Sequence, residues 1–233
     1  MRPTAALLRR LRRGLRRPSL GALIIFLVIV FAAARGPLRT TLWPGGPDAA
    51  PVREPRAEDR IVQIVDGDTV IGAVHGTIRV LSIDTPESGR PLFDEATAAL
   101  AHLVGGKQVE LLFDVETVDR YGRALAHVLV ADGDARLLAG EELVRRGLAS
   151  VFIIPPNMLF AERLKAAQKE AVLNDRGLWA LPPPAPEPYY IVGAYKFHRP
   201  SCVHAAQIPN PRRQKDRKAI LAEGKSPCRN CAP

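Results

Sequence analysis

The middle of this chain is expected to form an α+β domain, a small closed β-barrel of five strands carrying three helices. Two observations predict it. Short β-branched runs succeed one another between turn signals from Ile61 onward, and three segments of helical period interrupt or follow them. Size and composition agree: 233 residues that are 47% hydrophobic can bury one ordinary core and leave residues for extensions.

The chain opens differently. Residues 1–35 hold eight arginines and no acid, and Arg9, Arg10, Arg12, Arg13, Arg16 and Arg17 precede an apolar run over 20–34. As a helix rising ~1.5 Å per residue, fifteen residues reach only ~22 Å, short of a ~30 Å hydrocarbon core. The run therefore reads as a signal segment or a short membrane anchor. Ala32, Ala33 and Ala34 suit cleavage, and Trp43 suits an interfacial anchor. The arginines stay inside, so the rest of the chain is expected outside the cytoplasm, either anchored by one helix or secreted. Residues 36–59, rich in Gly, Pro, Arg and Asp, read as a linker.

The domain itself spans 60–180. Ile61–Val65 is a strand ending at Asp66-Gly67-Asp68-Thr69, Val70–Val74 a second, and His75-Gly76 a tight turn into a third over Thr77–Ile83. Gln108–Phe113 and Ala124–Val130 are two more, and Asp132-Gly133-Asp134 is another turn. Helices are expected over Asp94–Val104, Ala139–Arg146 and Phe160–Val172, the last with Phe160, Leu164, Ala167 and Ala171 on one face. Five strands with three helices point to an oligonucleotide/oligosaccharide-binding barrel with appended helices.

The charge of +9 resides at the ends. Residues 60–180 hold 13 bases and 17 acids, whereas 181–233 hold nine and three. A basic track for a polyanion must therefore be local or come from the tail. Within the acidic middle, Asp66, Asp68, Asp84 and Glu87 lie beside turn signals, accompanied by Arg79 and Arg123. Aspartate next to glycine or proline marks strand ends. Carboxylates gathered there with arginines nearby suit a hard cation facing a phosphate, hence a metal-assisted phosphodiesterase. Asp66 before Gly67 reads first as a structural turn cap, and Asp68 and Asp84 taken singly are also turn residues. Arg79 lies in an apolar run, where an unpaired charge is costly. His75, His102 and His127 are scattered and read as surface or satisfied core, and Tyr121 as core packing.

The order and spacing of Asp66-Gly67-Asp68-Thr69, Arg79 before Asp84-Thr85-Pro86-Glu87, Asp119-Arg120-Tyr121-Gly122-Arg123, Arg146-Gly147-Leu148-Ala149 and Gly177-Leu178-Trp179 resemble the staphylococcal nuclease (thermonuclease) family. The resemblance implies a calcium-dependent nuclease acting on DNA or RNA. It implies Asp68 and Asp84 as carboxylate ligands of calcium and Thr85 as a carbonyl ligand, with Asp66 just behind them. Glu87 would hold the attacking water, and Arg79 and Arg123 would grip the phosphate. The chain departs from the family pattern at Val151–Pro156, where tyrosines are expected, and at Ser88–Leu92, where lysines are expected. Base stacking is left to Phe152. The alternatives are a barrel that binds nucleic acid without cleaving it, and a surface-interaction protein working through its C-terminal end. Against the first, every expected charged position is filled.

Residues 181–188 are a proline-rich spacer, and all three cysteines lie beyond it. His198-x3-Cys202 and Cys228-x2-Cys231 are two close pairs that suit tetrahedral zinc, and 189–233 is too short to fold on apolar burial alone. His204 is a rival ligand and a disulfide a rival pairing. Phe197-His198-Arg199-Pro200-Ser201-Cys202 and the ending Gly224–Pro233 resemble the zinc-binding domain of Ada-type DNA-repair methyltransferases, with His198 where that family has cysteine. The resemblance implies structural zinc. Arg212, Arg213, Lys215, Arg217 and Lys218 form a basic cluster, read either as a solvated face or as a contact for DNA or an anionic surface. Nucleic acid is the expected partner, the membrane a second through the N-terminal helix, and the oligomeric state is taken as monomeric by default.

Overall fold

The computed structural model describes residues 56–233. The expected anchor and most of the linker lie outside them. Among the described residues no helix is long and apolar enough to cross a membrane.

Strand β1 (Arg56–Ile64) pairs antiparallel with β2 (Thr69–Gly72) through the Asp66–Asp68 turn, and β2 pairs with β3 (Gly76–Val80) through a short hairpin. β4 (Ile83–Asp84) leaves the barrel. Helix α1 (Phe93–Val104) then crosses to β5 (Gln108–Val118), which returns along β1 and pairs with β6 (Ala124–Asp132). Parallel pairing of β6 with β3, Ile78 opposite Ala124 and Val80 opposite Ala126, closes a barrel of five strands. β7 (Ala135–Leu138) extends β6 as a hairpin arm. Helix α2 (Ala139–Arg145), β8 (Ser150–Val151) and helix α3 (Ala161–Leu173) follow. Inside lie Ile61, Val70, Ile78, Leu100, Leu111, Val128, Leu143 and Leu164, contributed by strands and all three helices.

Two differences from the expected elements have physical causes. β1 begins at Arg56, inside the stretch read as linker, because its first residues pair with β5, Arg56 opposite Leu112. Asp59 there is buried as a staple. Its carboxylate accepts from the backbone N–H groups of Val74 and His75 at 3.0 and 2.9 Å and meets His75 Nδ1 at 2.9 Å, fastening the β2–β3 hairpin. Burial works to raise this carboxyl, yet those donors outweigh it and hold it below the ordinary range. The Asp132–Asp134 turn is present as expected, but it leads into an additional strand, β7.

Gly147 and Gly177 show why two separate short motifs go together. Gly147 has φ of 72°, and a Cβ there would meet the Arg176 carbonyl at 2.1 Å. The Gly147 carbonyl accepts from Leu178 N at 2.8 Å. The exit of α2 and the turn after α3 are thereby pressed backbone to backbone, which only glycine permits.

The C-terminal residues form a second sheet of strands β9 (Tyr190–Val192), β10 (Lys196–His198), β11 (Arg212–Gln214) and β12 (Ser226–Pro227), in the order β11-β9-β10-β12, with helix α4 (Arg217–Ala222) capped by Asp216. Tyr190, Val192, Phe197, Ile220 and Leu221 share a core with Val172 of α3. Buried Gln168 of α3 fastens the join. Its Oε1 accepts from Val151 N, and its Nε2 donates to the carbonyls of Leu221 and Lys225, at 2.8, 2.8 and 3.2 Å. The proline run is thus no free spacer: the segment beyond it folds back onto α3.

His127 on β6 is buried edge-on to Phe160, and its Nε2 has no partner among the described residues. Burial holds it well below the ordinary value, at about 4. Its ordinary value is near 6.5, so the folded state favours neutral imidazole. The resulting stability is complete above that value and is lost as pH falls through about 4. It amounts to about 3 kcal/mol. Denaturant unfolding of the wild type and His127→Leu should show their stability difference shifting by that amount between neutral pH and pH 4, and a pH-independent difference would contradict it.

Candidate active site

The first acid-bearing loop is shaped by its own side chains. Asp66 Oδ1 accepts from Asp68 N at 2.9 Å, an Asx turn that points Asp68 inward. Gly67 allows the close approach: a Cβ there would meet Thr85 Oγ1 at 2.8 Å and the Ala96 side chain at 2.9 Å. Asp68 is consequently buried against the β4 end, its Oδ2 accepting from both the N–H and the hydroxyl of Thr85 at 3.1 Å. Asp84, at the tip of β4, is fixed by pairing with Ser150 of β8.

Between these two loops stands Arg79 of β3. Its Nη2 lies 2.9 Å from Asp68 Oδ2 and 3.7 Å from Asp84 Oδ1. It also donates to the Ile83 carbonyl, while Nη1 donates to the Val80 carbonyl. The side chain is only 14% exposed. Burial pushes the Asp68 carboxyl above its ordinary range, against the Arg79 guanidinium and the Thr85 amide. Burial likewise draws Arg79 below its own, with Asp68 opposing. Asp68 and Asp84 therefore face one cation already, and one guanidinium nitrogen serves both.

Arg123 comes from the turn between β5 and β6. Asp119 builds that turn by accepting from Tyr121 N and Arg123 N at 2.9 and 3.0 Å, and it orients Arg123 through a 2.7 Å bond to Nε. Asp66, Asp68, Arg79, Thr85, Glu87 and Arg123 all line one open cleft of about 700 Å³. Glu87 stands at its rim, its side chain 72% exposed. Tyr121 is a correction: it is 68% exposed at the cleft, under Arg120 and Arg123, and not core. Phe152, expected to stack bases, has the Lys196 ammonium 4.2 Å from its ring centroid. The acids do not close on a single point. Among the described residues, the one group of three or more His, Cys, Asp or Glu ligand atoms that converges within 4.8 Å lies elsewhere.

That group is His198, Cys202, Cys228 and Cys231. The three cysteines are free thiols, and His198 Nδ1 lies 3.4 Å from Cys202 Sγ. His204 is outside the group and meets Asn230 instead. Arg199 N donates to Cys231 Sγ at 3.3 Å. Burial works to raise the Cys228 thiol, but the N–H groups of Cys231 and Asn230 hold it below its ordinary value. Burial and the adjoining sulfurs push Cys231 up to about 12. One nitrogen and three sulfurs packed so closely suit a soft or borderline cation.

Sequence reading missed Arg229, the residue of the cleft that engages the site acids from the tail. Arg229, between Cys228 and Cys231, bonds Asp84 through Nε at 2.9 Å and through Nη2, and its Nη1 lies 3.4 Å from Glu87. No spacing rule links positions 145 apart. The tail's basic cluster is largely engaged: Arg212 pairs with Glu223, Lys218 with Asp175, Arg217 Nε with the Pro233 carbonyl, and Arg213 lies over Tyr189.

Comparison with known proteins adds the following. A family model described as staphylococcal nuclease homologue matches residues 77–181. That span contains Arg79, Asp84, Glu87 and Arg123, whereas Asp66, Asp68 and the cysteines lie outside it. The thermonuclease of Staphylococcus hyicus is 30% identical over 130 residues, covering 52% of this chain and 75% of that protein. The thermonuclease of Staphylococcus intermedius is 31% identical over 145 residues, covering 58% and 83%. The SPbeta prophage-derived endonuclease YokF of Bacillus subtilis is 34% identical over 127 residues, covering 50% of this chain and 42% of that protein.

Proposed function

This chain belongs to the staphylococcal nuclease homologue family, and on that premise we propose that it is a calcium-dependent nuclease hydrolysing phosphodiester bonds of DNA or RNA. The observation that carries the reading is the meeting of Asp68 and Asp84 on one Arg79 nitrogen, beside a cleft lined by Asp68, Arg79, Glu87 and Arg123, with Asp84 just behind its wall. Relatives called thermonuclease and endonuclease support it.

The donor set suits calcium: carboxylate and carbonyl oxygens, with no histidine or cysteine among the residues lining the cleft. Asp68 and Asp84 would hold the ion by carboxylate oxygens and Thr85 by its carbonyl, with Asp66 bracing the loop behind them. Calcium bound there supplies positive charge beside the phosphate as negative charge grows on it. The chain's own residues do the rest. Glu87, at the solvent edge, orients the attacking water by accepting a hydrogen bond from it. Arg79 and Arg123 stabilise the phosphate oxygens from two sides, and their fixed positions mean little reorganisation as charge develops. Tyr121 offers an exposed ring beside them for a base.

The C-terminal residues 189–233 are read as an Ada-like zinc-binding module, with His198, Cys202, Cys228 and Cys231 as the four ligands and zinc in a structural role. The basic and apolar start of the chain is read as an anchor or export signal that places the nuclease outside the cytoplasm.

Two outcomes check these readings. The chain without its first 35 residues should cleave nucleic acid with calcium and stop with chelator, and Arg79→Ala or Glu87→Ala should each lower the rate about a hundredfold or more with the fold retained. Absent cleavage by folded protein would leave a binding module instead, and cleavage that persists with chelator would overturn the calcium dependence. Elemental analysis should find one zinc per chain, lost in Cys228→Ser. A zinc-free protein with an oxidised cysteine pair would contradict the module.

A further inference from the structure

We propose that Arg229 is a third phosphate-binding arginine of the nuclease centre, delivered to it by the C-terminal segment; the inference rests on the nuclease reading above. Three observations converge on it. The guanidinium engages Asp84 through two nitrogens and approaches Glu87 with the third, and it lines the same cleft as Arg79 and Arg123. Its guanidinium carbon lies over the Phe152 ring, 5.5 Å from the centroid, within cation–π range. Its backbone is held on both sides: Cys228 N donates to the Phe197 carbonyl at 3.0 Å, and Ala232 N to the Cys228 carbonyl at 2.9 Å.

The loop is in turn fastened to the barrel beside Asp84. The Ser226 hydroxyl donates to the Val151 carbonyl, and Val151 belongs to the strand that pairs with Asp84. Arg229 is therefore aimed at the cleft by construction and does not simply lie on the surface. Its side chain is nonetheless half exposed, so the head can meet an incoming ligand.

Charge explains the use. The barrel region 60–180 carries more acids than bases, and the loop Ser88–Leu92 offers only Arg90, which is not among the residues lining the cleft. Beyond Arg79, Arg120 and Arg123, a polyanion must find further positive charge outside the barrel. The segment 181–233 carries the excess, and Arg229 brings one of those charges to the cleft. A doubly charged ion drawing on Asp84 competes for the oxygens that Arg229 holds. The guanidinium, tethered at the rim, is then placed to meet phosphate, whose geometry suits its planar fork.

The test uses the full chain in mild detergent and the variants Arg229→Ala and Arg229→Lys. The probe is a labelled single-stranded oligonucleotide with cleavage-resistant phosphorothioate linkages, titrated with calcium present at several salt concentrations. Arg229→Ala should weaken binding about tenfold, whatever the base sequence, and lower the slope of log affinity against log salt by about one. Arg229→Lys should restore the slope but only part of the affinity. Cleavage kinetics should show the same loss in KM, with kcat little changed. An unchanged slope and affinity in Arg229→Ala, even with tighter calcium binding, would overturn the proposal and reduce Arg229 to a clamp on Asp84. Failure of the wild type to cleave any substrate would instead overturn the nuclease reading on which this one stands.

Discussion

A buried guanidinium organises the barrel's mouth. Arg79 sits on β3 where parallel pairing with β6 closes the barrel, and there its charge is almost wholly removed from water. An uncompensated charge in that position would cost several kcal/mol. The chain meets the cost with two carbonyls, Val80 and Ile83, and two carboxylates, Asp68 and Asp84. The two carboxylates come from different local structures. The Asp66–Asp68 turn must fold inward, which needs Gly67, and β4 must leave the barrel at the right residue, which needs Ser150 opposite Asp84. The same geometry that neutralises Arg79 gathers the oxygens on which the proposed calcium site depends.

The second constraint is the join between barrel and tail. A small core of Tyr190, Phe197, Ile220 and Leu221 would be slight alone, but it is completed by Val172 of α3 and locked by Gln168. Gln168 spends its acceptor on the strand beside Asp84 and its donors on the tail, so both sides are held to one side chain. The cysteine-bearing loop is thereby seated beside the cleft. The tail acquires a route to the proposed chemistry that no separate, flexibly tethered module would have.

Much of this was legible in the letters and some was not. Period-two and helical patterns located the five barrel strands and three helices, because those residues face one continuous core. The start of β1 was hidden: Arg56 to Arg60 is charged, and only pairing with β5 makes it a strand. The arm β7 was hidden because the four residues after the Asp132–Asp134 turn are too few for a period-two signal. At the cleft, residue type and order identified Asp68, Asp84, Glu87, Arg79 and Arg123 as a group, since turn chemistry and buried charge leave local traces. The exposure of Tyr121 left none, because an aromatic inside a turn motif packs or projects according to neighbours remote in sequence. Arg229 was invisible for the same reason. The pairing of His198 with the cysteines was legible in spacing alone, and the geometry that excludes His204 was not.

The account stands or falls on Asp68 and Asp84 serving one cation together. Calcium titration by calorimetry into the wild type, Asp68→Asn and Asp84→Asn measures this directly. One ion per wild-type chain, with affinity falling at least about tenfold in each variant, is the predicted result. No calcium uptake by the wild type, or equal affinity in all three proteins, would contradict it.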